Sequence, residues 1–295
     1  MNKDKIIQQY KRYVMPTYSR EDLIIVRGSG SRVWDINGHE YLDFFPGWAV
    51  SGIGHAHPMV VKALSRQARK ILHVSNNYYN ELQAKLAEKI CQYSFDGKVF
   101  FCNSGTEAVE AAIKLVRLYG SGQSKFEIIT MEDSFHGRTL ASLAATGQTK
   151  YKEGFNPLPE GFFHVPFNDL SALKTKINAR TVAVMLELIQ GEGGINVASP
   201  GYVKAIRKLC NKNDILLIFD EVQTGIARTG RMFCYQHYNV KPDIIILAKS
   251  LGGGFPIGAI NARRRIADTL KEGSHASTFG GSPLSCACAL RSLKR

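Results

Sequence analysis

The stretch DIIILAKSLGGGFPIGA, residues 243–259, joins a continuous apolar run to a lysine and a cluster of glycines. The run at 244–248 is short, uninterrupted and rich in isoleucine, which is typical of a strand covered on both faces in a parallel sheet. Lys249 follows where that strand would end, and the glycines at 252–254 provide a flexible turn. The stretch therefore predicts a buried strand that carries one lysine at its carboxyl end.

Four earlier apolar runs have the same character and alternate with segments of helical spacing. The runs are KVFF (98–101), FEIIT (126–130), TVAVMLEL (181–188) and DILLIF (214–219). Helical spacing of apolar residues covers MVVKALSRQARKIL (59–72) and ELQAKLAEKICQY (81–93). Short buried strands that alternate with helices predict an α/β fold, with a mostly parallel sheet covered by helices on both faces.

Polar residues flanked by glycine stand at the ends of the predicted strands. They are Asn103-Ser104-Gly105-Thr106, Phe135-His136-Gly137-Arg138, Gln190-Gly191-Glu192, Asp220-Glu221 and Lys249. In open α/β sheets, ligands bind outside the carboxyl ends of the strands. We therefore expect these residues to form one shared site.

The segment that precedes these runs has a different pattern. In SRVWDINGHEYLDFF (31–45), two β-rich stretches flank Asn37-Gly38, which is a strong signal for a two-residue hairpin turn. We therefore expect residues 1–58 to form an N-terminal α+β segment with a β-hairpin, belonging to a small domain. Residues 59–295 would then form the large domain.

Composition excludes several classes of protein. The 295 residues are 44% apolar, enough for a substantial core. No run approaches the roughly 18 apolar residues of a membrane span, and the polar N-terminus lacks a signal-peptide pattern, so a cytoplasmic protein with no membrane partner is expected. The formal charge is +13, but the basic residues are scattered. This favours a solvated basic face that attracts anionic substrates; a nucleic-acid-binding module remains an alternative supported by net charge alone.

Cysteine and histidine spacing gives no sign of a metal centre. The six cysteines include no CxxC pair, which indicates reduced thiols. His55 and His57 have no third ligand at an interpretable spacing, so we expect a structural pair and no metal.

Three strand-end segments can support specific chemistry. Ser104 opens a helix whose free amides would bind a phosphate, although Ser104 acting only as a helix cap is an equal alternative. Asp220 can keep a heteroaromatic ring nitrogen protonated; a nucleotide hydrolase would need a P-loop, and the sequence has none. Lys249, if desolvated, can form a Schiff base instead of serving as a surface lysine.

Taken together, the motifs resemble those of the class III pyridoxal-phosphate aminotransferases. The resemblance covers essentially the whole chain, and seven motifs occur in the family's order. They are GHAHP (54–58), NSGTEAVEAAIKLVR (103–117), SFHGRT (134–139), IQGEGG (189–194), FDEVQTG (219–225), AKSLGGGFPIGA (248–259) and STFGGSPL (277–284). The resemblance implies a fold-type-I transferase with pyridoxal 5'-phosphate as cofactor.

The resemblance also implies roles for the residues matched to the family's cofactor site. Lys249 would bind the cofactor covalently and later move a proton, and Asp220 would pair with the ring nitrogen. Around the ring, Gln223 would contact the phenolic oxygen, Phe135 would stack on one face and His136 would lie beside it. Ser104, Gly105 and Thr106 would hold the phosphate through amides and hydroxyls.

Substrate contacts and assembly follow from the same resemblance, which is nearest to members acting on N-acetylornithine and 2-oxoglutarate in arginine biosynthesis. KRYVMPTY (11–18) and SNNYYNELQAKLAEKI (75–90) carry that likeness. Arg138 would pair with the substrate α-carboxylate, and Glu192 would sit beside the pocket for the side-chain amine. Gly47 would leave room for an acylated amine where ornithine aminotransferases have a tyrosine. Thr278 would contact the phosphate bound in a second subunit, which implies a homodimer with shared active sites.

Other outcomes stay open within this resemblance. The donor could instead be succinyldiaminopimelate, ornithine or 4-aminobutyrate, or the chain could be a catalytically silent dimer that binds the cofactor. The sequence also departs from the family's pattern. Glu187-Leu188 replaces the usual Glu-Pro, and the family continues beyond CALRSLKR into a C-terminal small domain that supplies an arginine partner for the glutamate matched by Glu192. We therefore expect that domain to be absent.

Overall fold

A seven-stranded sheet forms the centre of the computed structural model, which describes residues 2–294. The helices are α1 Lys3–Tyr13, α2 Pro58–Ala68, α3 Glu81–Tyr93, α4 Gly105–Gly120, α5 Leu140–Ala145, α6 Leu170–Lys176, α7 Pro200–Lys212, α8 Arg264–Ala267 and α9 Pro283–Ser292. The strands are β1 Ile25–Ser29, β2 Arg32–Asp35, β3 Glu40–Leu42, β4 Lys98–Cys102, β5 Glu127–Met131, β6 Phe162–Val165, β7 Thr181–Leu186, β8 Ile189–Gln190, β9 Asn196–Val197, β10 Leu216–Asp220, β11 Ile244–Leu247 and β12 Gly258–Ala262.

The central sheet has the strand order β4-β12-β11-β10-β7-β5-β6. The strands β11, β10, β7, β5 and β6 are parallel to one another, whereas β12 runs antiparallel to both of its neighbours. All five apolar runs of the sequence are strands of this sheet, so the predicted α/β fold is confirmed. Strands β6 and β12 were not predicted. The β12 sequence GAINA has too few large apolar residues to show a strand pattern, and Gly258 at its start packs against the backbone of Ser104.

Helices cover the sheet on both faces, and this explains why its strands are apolar without alternation. On β10, Leu217 and Phe219 pack into one buried cluster, which includes residues of α3, α7 and α9. Leu216 and Ile218 point to the opposite face and pack against α4, where Ala108, Ala111 and Ala112 allow close approach. Each strand residue is thus buried on one face or the other.

The N-terminal segment forms a separate three-stranded antiparallel sheet, β1-β2-β3. The predicted hairpin around Asn37-Gly38 is confirmed, since β2 pairs antiparallel with β3. The turn is one residue longer than predicted, because the Asp35 amide bonds to the His39 carbonyl and Gly38 takes a φ of 86° between them. The division of the chain into domains at residue 58 stays a prediction. Within residues 2–294, no helix is long and apolar enough to cross a membrane.

The loop after β10 returns to the end of its own strand. Glu221 accepts hydrogen bonds from the amides of Cys234 (2.7 Å) and Tyr235 (2.8 Å), which closes the loop between them. Inside the loop, Ile226 and Ala227 have φ values of 58° and 61°. Left-handed backbone costs an L-residue about 1–2 kcal/mol, so the loop contains strain that glycine would relieve.

Replacing Ala227 with glycine tests this strain. Ala227 is exposed, so Ala227→Gly removes no core packing, and it should raise the free energy of unfolding by about 0.5–1 kcal/mol despite the greater freedom of the unfolded chain. The matched control is Ala205→Gly inside α7, where the same change should lower stability by about 1 kcal/mol. Chemical denaturation measures both; a loss of stability in Ala227→Gly would contradict the assigned conformation.

Candidate active site

An open cavity of about 370 Å³ lies at the carboxyl ends of the parallel strands. Every site residue predicted from the sequence lines it, apart from Gly47 and Thr278; those that do are Ser104, Gly105, Thr106, Phe135, His136, Arg138, Glu192, Asp220, Gln223 and Lys249. The structure therefore brings together residues that are up to 145 positions apart in the sequence, from Ser104 to Lys249.

The N-terminus of α4 forms one wall of this cavity. Ser104 caps the helix by accepting a hydrogen bond from the Glu107 amide (3.3 Å), and the Glu107 carboxylate accepts from the Ser104 hydroxyl (2.9 Å). The first amides of a helix have no acceptor inside it, so those of Gly105 and Thr106 are available to an anion. A Cβ on Gly105 would lie 2.8 Å from Val222 Cγ1, so the backbone here is packed too closely for a larger residue.

The hydroxyl of Thr106 is already engaged within the protein. It forms hydrogen bonds with the hydroxyls of Ser142 (2.7 Å) and Thr139 (3.0 Å), and it accepts from the Arg138 amide (3.2 Å). These bonds tie the start of α4 to the turn after Phe135. In this geometry Thr106 offers a ligand its backbone amide, while its side chain orients the neighbouring segment.

A buried pair between a histidine and a carboxylate forms the floor. His136 Nδ1 lies 2.7 Å from Asp220 Oδ2, and the histidine side chain is fully buried. Burial acts to lower the pKa of His136, but the hydrogen bond and charge of Asp220 oppose it, and the pKa is raised overall. Of the described residues, none hydrogen-bonds His136 Nε2, although that atom is buried. The pair thus presents a carboxylate supported by the hydrogen bond of a buried imidazole.

Lys249 lines the same cavity in a strained backbone conformation. Its φ is 47°, in the left-handed region, and only Ala248 separates it from the end of β11. Burial lowers the pKa of Lys249, against the charges of Asp220, Glu192 and Glu187, which raise it. The next residue, Ser250, donates a hydrogen bond to the Ala49 carbonyl (2.6 Å) and so joins the lysine turn to the N-terminal segment.

A second buried carboxyl, Glu187, lines the cavity and was not among the predicted site residues. It follows β7 directly and accepts a hydrogen bond from the Phe135 amide (2.9 Å). Burial, above all, raises the pKa of Glu187 to about 8. Glu187 follows an apolar strand, as Asp220 does, so the same sequence pattern could have predicted it as a site residue.

Arg138 supplies the positive charge at the cavity's outer side. Its side chain is exposed, and its guanidinium lies 4.1 Å from the ring centre of Tyr151 and 5.6 Å from that of Phe135. Across residues 2–294, no carboxylate forms a salt bridge with Arg138. A cation that lines a cavity without an acidic partner is suited to binding an anionic ligand.

Two predicted residues lie outside the cavity, and a third sits against a glycine. Gly47 occupies an exposed turn with a φ of 62°, while Val50 of the same turn lines the cavity. Thr278 is exposed. Gln223 packs so closely on Gly191 that a Cβ there would overlap the Gln223 amide. The roles of Gly47 and Thr278 toward ligands stay predictions.

The donor set fits a phosphorylated heteroaromatic aldehyde. Free amides at Gly105 and Thr106 suit the phosphate, Asp220 suits a protonated ring nitrogen, and Lys249 offers an amine of lowered pKa for the aldehyde. Phe135 provides an aromatic face on the same cavity.

Comparisons of sequence identify relatives of the chain. The profile of the family described as aminotransferase class-III matches residues 14–295. A protein of Caldanaerobacter subterraneus subsp. tengcongensis named acetylornithine aminotransferase is 55% identical over 288 residues, which span 97% of this chain and 73% of that protein. One from Pseudomonas aeruginosa, named succinylornithine transaminase/acetylornithine aminotransferase, is 52% identical over 283 residues, 95% of this chain and 70% of its own length.

Comparison of structures agrees. The ornithine aminotransferase of Toxoplasma gondii matches with a TM-score of 0.94 and 36% identity, covering 99% of this chain and 71% of its own. The acetylornithine aminotransferase of Elizabethkingia anophelis matches with a TM-score of 0.87 and 36% identity, covering 99% of this chain and 72% of its own.

The lowered pKa of Lys249 leads to a testable pH dependence. Only the unprotonated amine reacts with acetic anhydride, so a lowered pKa moves the rise in reactivity to lower pH. In the native, cofactor-free protein, the acetylation of Lys249 should reach half its maximum below the ordinary lysine value of about 10.4. Mass spectrometry of labelled peptides measures this, with the denatured chain as control. A native midpoint equal to the denatured one would refute the desolvated environment.

Proposed function

This chain belongs to the class-III aminotransferase family, and on that premise we propose that it transfers the side-chain amino group of N2-acetyl-L-ornithine to 2-oxoglutarate. The products are N-acetylglutamate 5-semialdehyde and glutamate. The observation that carries the proposal is that one cavity contains the half-buried Lys249, the His136–Asp220 pair and Arg138, which forms no salt bridge with a carboxylate of residues 2–294. The names of the relatives at 55% and 52% identity supply the substrate.

Class-III aminotransferases use pyridoxal 5'-phosphate, which supplies an aldehyde that captures amino groups and a ring that stabilises negative charge on the substrate carbon. Lys249 would hold this group covalently when no substrate is bound, and the amides of Gly105 and Thr106 would hold its phosphate. Asp220, supported by His136, would keep a proton on the ring nitrogen. Phe135 would cover one ring face, and Gln223 would contact the phenolic oxygen.

Proton transfer is the task of the lysine once its amine is free. Lys249 Nζ would take the proton from the carbon that bears the donor's amino group and deliver it to the former aldehyde carbon of the cofactor; with 2-oxoglutarate it would move a proton from that cofactor carbon to the substrate carbon. Its lowered pKa favours the neutral amine that a base requires. The neighbouring carboxylates stabilise the ammonium form that results, since their charges act to raise that pKa.

Arg138 would bind the substrates by their carboxylates. N-acetylornithine and 2-oxoglutarate both have a carboxylate at the opposite end from the reacting carbon, so one guanidinium can serve both half-reactions by a bidentate pair. Glu192 lines the same cavity and would sit beside the side-chain amine. The exposed turn at Gly47 would leave space for the acyl group, with Val50 as its contact with the cavity.

The remaining features of the proposal concern assembly and setting. We propose a homodimer in which exposed Thr278 reaches the phosphate bound in the second subunit, with residues 1–58 belonging to a small domain and 59–295 forming the large one. We also propose that the enzyme acts in the cytoplasm, in arginine biosynthesis. N-succinylornithine is a second donor candidate, because the name of the Pseudomonas aeruginosa relative includes it.

Donor profiling tests the reaction directly. The purified chain with pyridoxal phosphate should form glutamate from 2-oxoglutarate, with the highest kcat/KM for N-acetylornithine or N-succinylornithine and lower values for ornithine and 4-aminobutyrate. Lys249→Ala should abolish turnover, and borohydride reduction followed by peptide mapping should find the cofactor on Lys249. Preference for ornithine or 4-aminobutyrate, or an adduct on another lysine, would refute the proposal.

Neutralising Asp220 separates chemistry from cofactor binding. Asp220→Asn should lower kcat by about 100-fold or more, because it removes a preorganised charge that acts on the ring nitrogen, while cofactor content changes little. Asp214→Asn is the matched control, since that carboxylate lies on the surface. Steady-state kinetics and cofactor absorbance measure the two effects; near-normal turnover in Asp220→Asn would contradict the role.

A further inference from the structure

Two aromatic rings, Tyr151 and Phe135, contact each other and the Arg138 guanidinium, and Phe135 and Arg138 line the cavity. The Arg138 guanidinium carbon lies 4.1 Å from the centre of the Tyr151 ring. Tyr151 in turn contacts Phe135 edge-on, with ring centres 5.6 Å apart and planes at 82°. Tyr151 therefore touches both the residue proposed to bind the substrate carboxylate and the residue proposed to cover the cofactor ring.

The backbone around Tyr151 is anchored to the segment that contains both of its partners. On one side, Gln148 Nε2 donates to the carbonyls of Asp133 and Ser134, both at 3.3 Å, just before Phe135. On the other side, Lys152 Nζ donates to the Ala144 carbonyl (3.2 Å) near the end of α5. These bonds fix the ring relative to the turn that contains Phe135 and Arg138.

We propose that Tyr151 is a positioning residue that holds the Arg138 guanidinium ready for the substrate carboxylate. The inference rests on the proposed function of this cavity. An arginine side chain loses rotamer entropy when it is fixed, and contact with the Tyr151 ring imposes part of that loss before substrate binds. A ring that holds the guanidinium on its face forms no N–H···O hydrogen bond with it, whereas a carboxylate partner would occupy the N–H donors.

A different role for Tyr151, support of Phe135 alone, makes different predictions. Loss of support for Phe135 would change cofactor affinity and absorbance, and it would affect all amine donors alike. Loss of support for Arg138 would raise KM only for ligands that have a carboxylate. N-acetylputrescine provides the discriminating donor, because it is N-acetylornithine without that carboxylate.

The experiment compares Tyr151→Leu with Tyr151→Phe in the cofactor-loaded protein. Tyr151→Leu should lower kcat/KM about tenfold for N-acetylornithine and for 2-oxoglutarate, mainly by raising KM. The kcat/KM for N-acetylputrescine should be the same in Tyr151→Leu as in the wild type. Tyr151→Phe should restore wild-type values within about twofold, because the ring is retained and no described residue hydrogen-bonds the hydroxyl. Combined with Arg138→Ala, Tyr151→Leu should add no further loss, because both act through one interaction.

The matched control is Tyr119→Leu, which removes a ring near Arg265 (5.8 Å) away from the cavity and should leave these constants unchanged.

Calorimetric titration with glutarate gives a readout that does not depend on turnover: Tyr151→Leu should weaken binding about tenfold and Tyr151→Phe should not. If the wild type binds glutarate but fails to transaminate N-acetylornithine, the proposed reaction fails and the positioning role stands. Three results would overturn the positioning role of Tyr151. They are glutarate binding by Tyr151→Leu that is as tight as that of the wild type, a loss of kcat/KM in Tyr151→Leu that is as large for N-acetylputrescine as for N-acetylornithine, and a wild type that does not bind glutarate.

Discussion

The buried pair of His136 and Asp220 is the interaction on which the rest of the site depends. A carboxylate at the end of a fully apolar strand would be strongly destabilising without a partner, and His136 provides one at 2.7 Å. The pair joins the end of β10 to the segment after β5, and that segment also contains Phe135 and Arg138. This one pair therefore positions both the floor of the cavity and the segment that contributes Phe135 and Arg138 to its lining.

The cavity divides into a buried acidic half and an open basic half. Asp220 and Glu187 lie in the buried half, where desolvation raises the pKa of Glu187 to about 8 and lowers that of Lys249. Arg138 lies in the open half on its aromatic support. In the proposed reaction, the half-buried amine of Lys249 would move protons, while the exposed Arg138 would stay accessible to two anionic substrates that enter and leave in turn.

Left-handed backbone occurs after the ends of β10 and β11. Lys249 adopts a left-handed conformation two residues after the end of β11, and Ile226 and Ala227 do so in the loop that Glu221 closes after β10. Such conformations persist only where the surrounding structure imposes them. Here the buried sheet and the amides that bind Glu221 hold the backbone in place. Packing on both faces of the sheet offsets the conformational energy of the left-handed residues.

Local patterns in the sequence were sufficient for the five apolar strands, the N-terminal hairpin and most of the cavity residues, because strand burial and turn chemistry depend on near neighbours in the chain. The antiparallel β12, the support of Arg138 by Tyr151, and the engagement of the Thr106 hydroxyl by Ser142 and Thr139 required the tertiary structure. The sequence showed which side chains end strands and so meet at one edge of the sheet. Only the tertiary structure decided which of these side chains touch. Each such contact joins two separate helices, strands or loops, and the spacing of residues within one element does not determine how it packs against another.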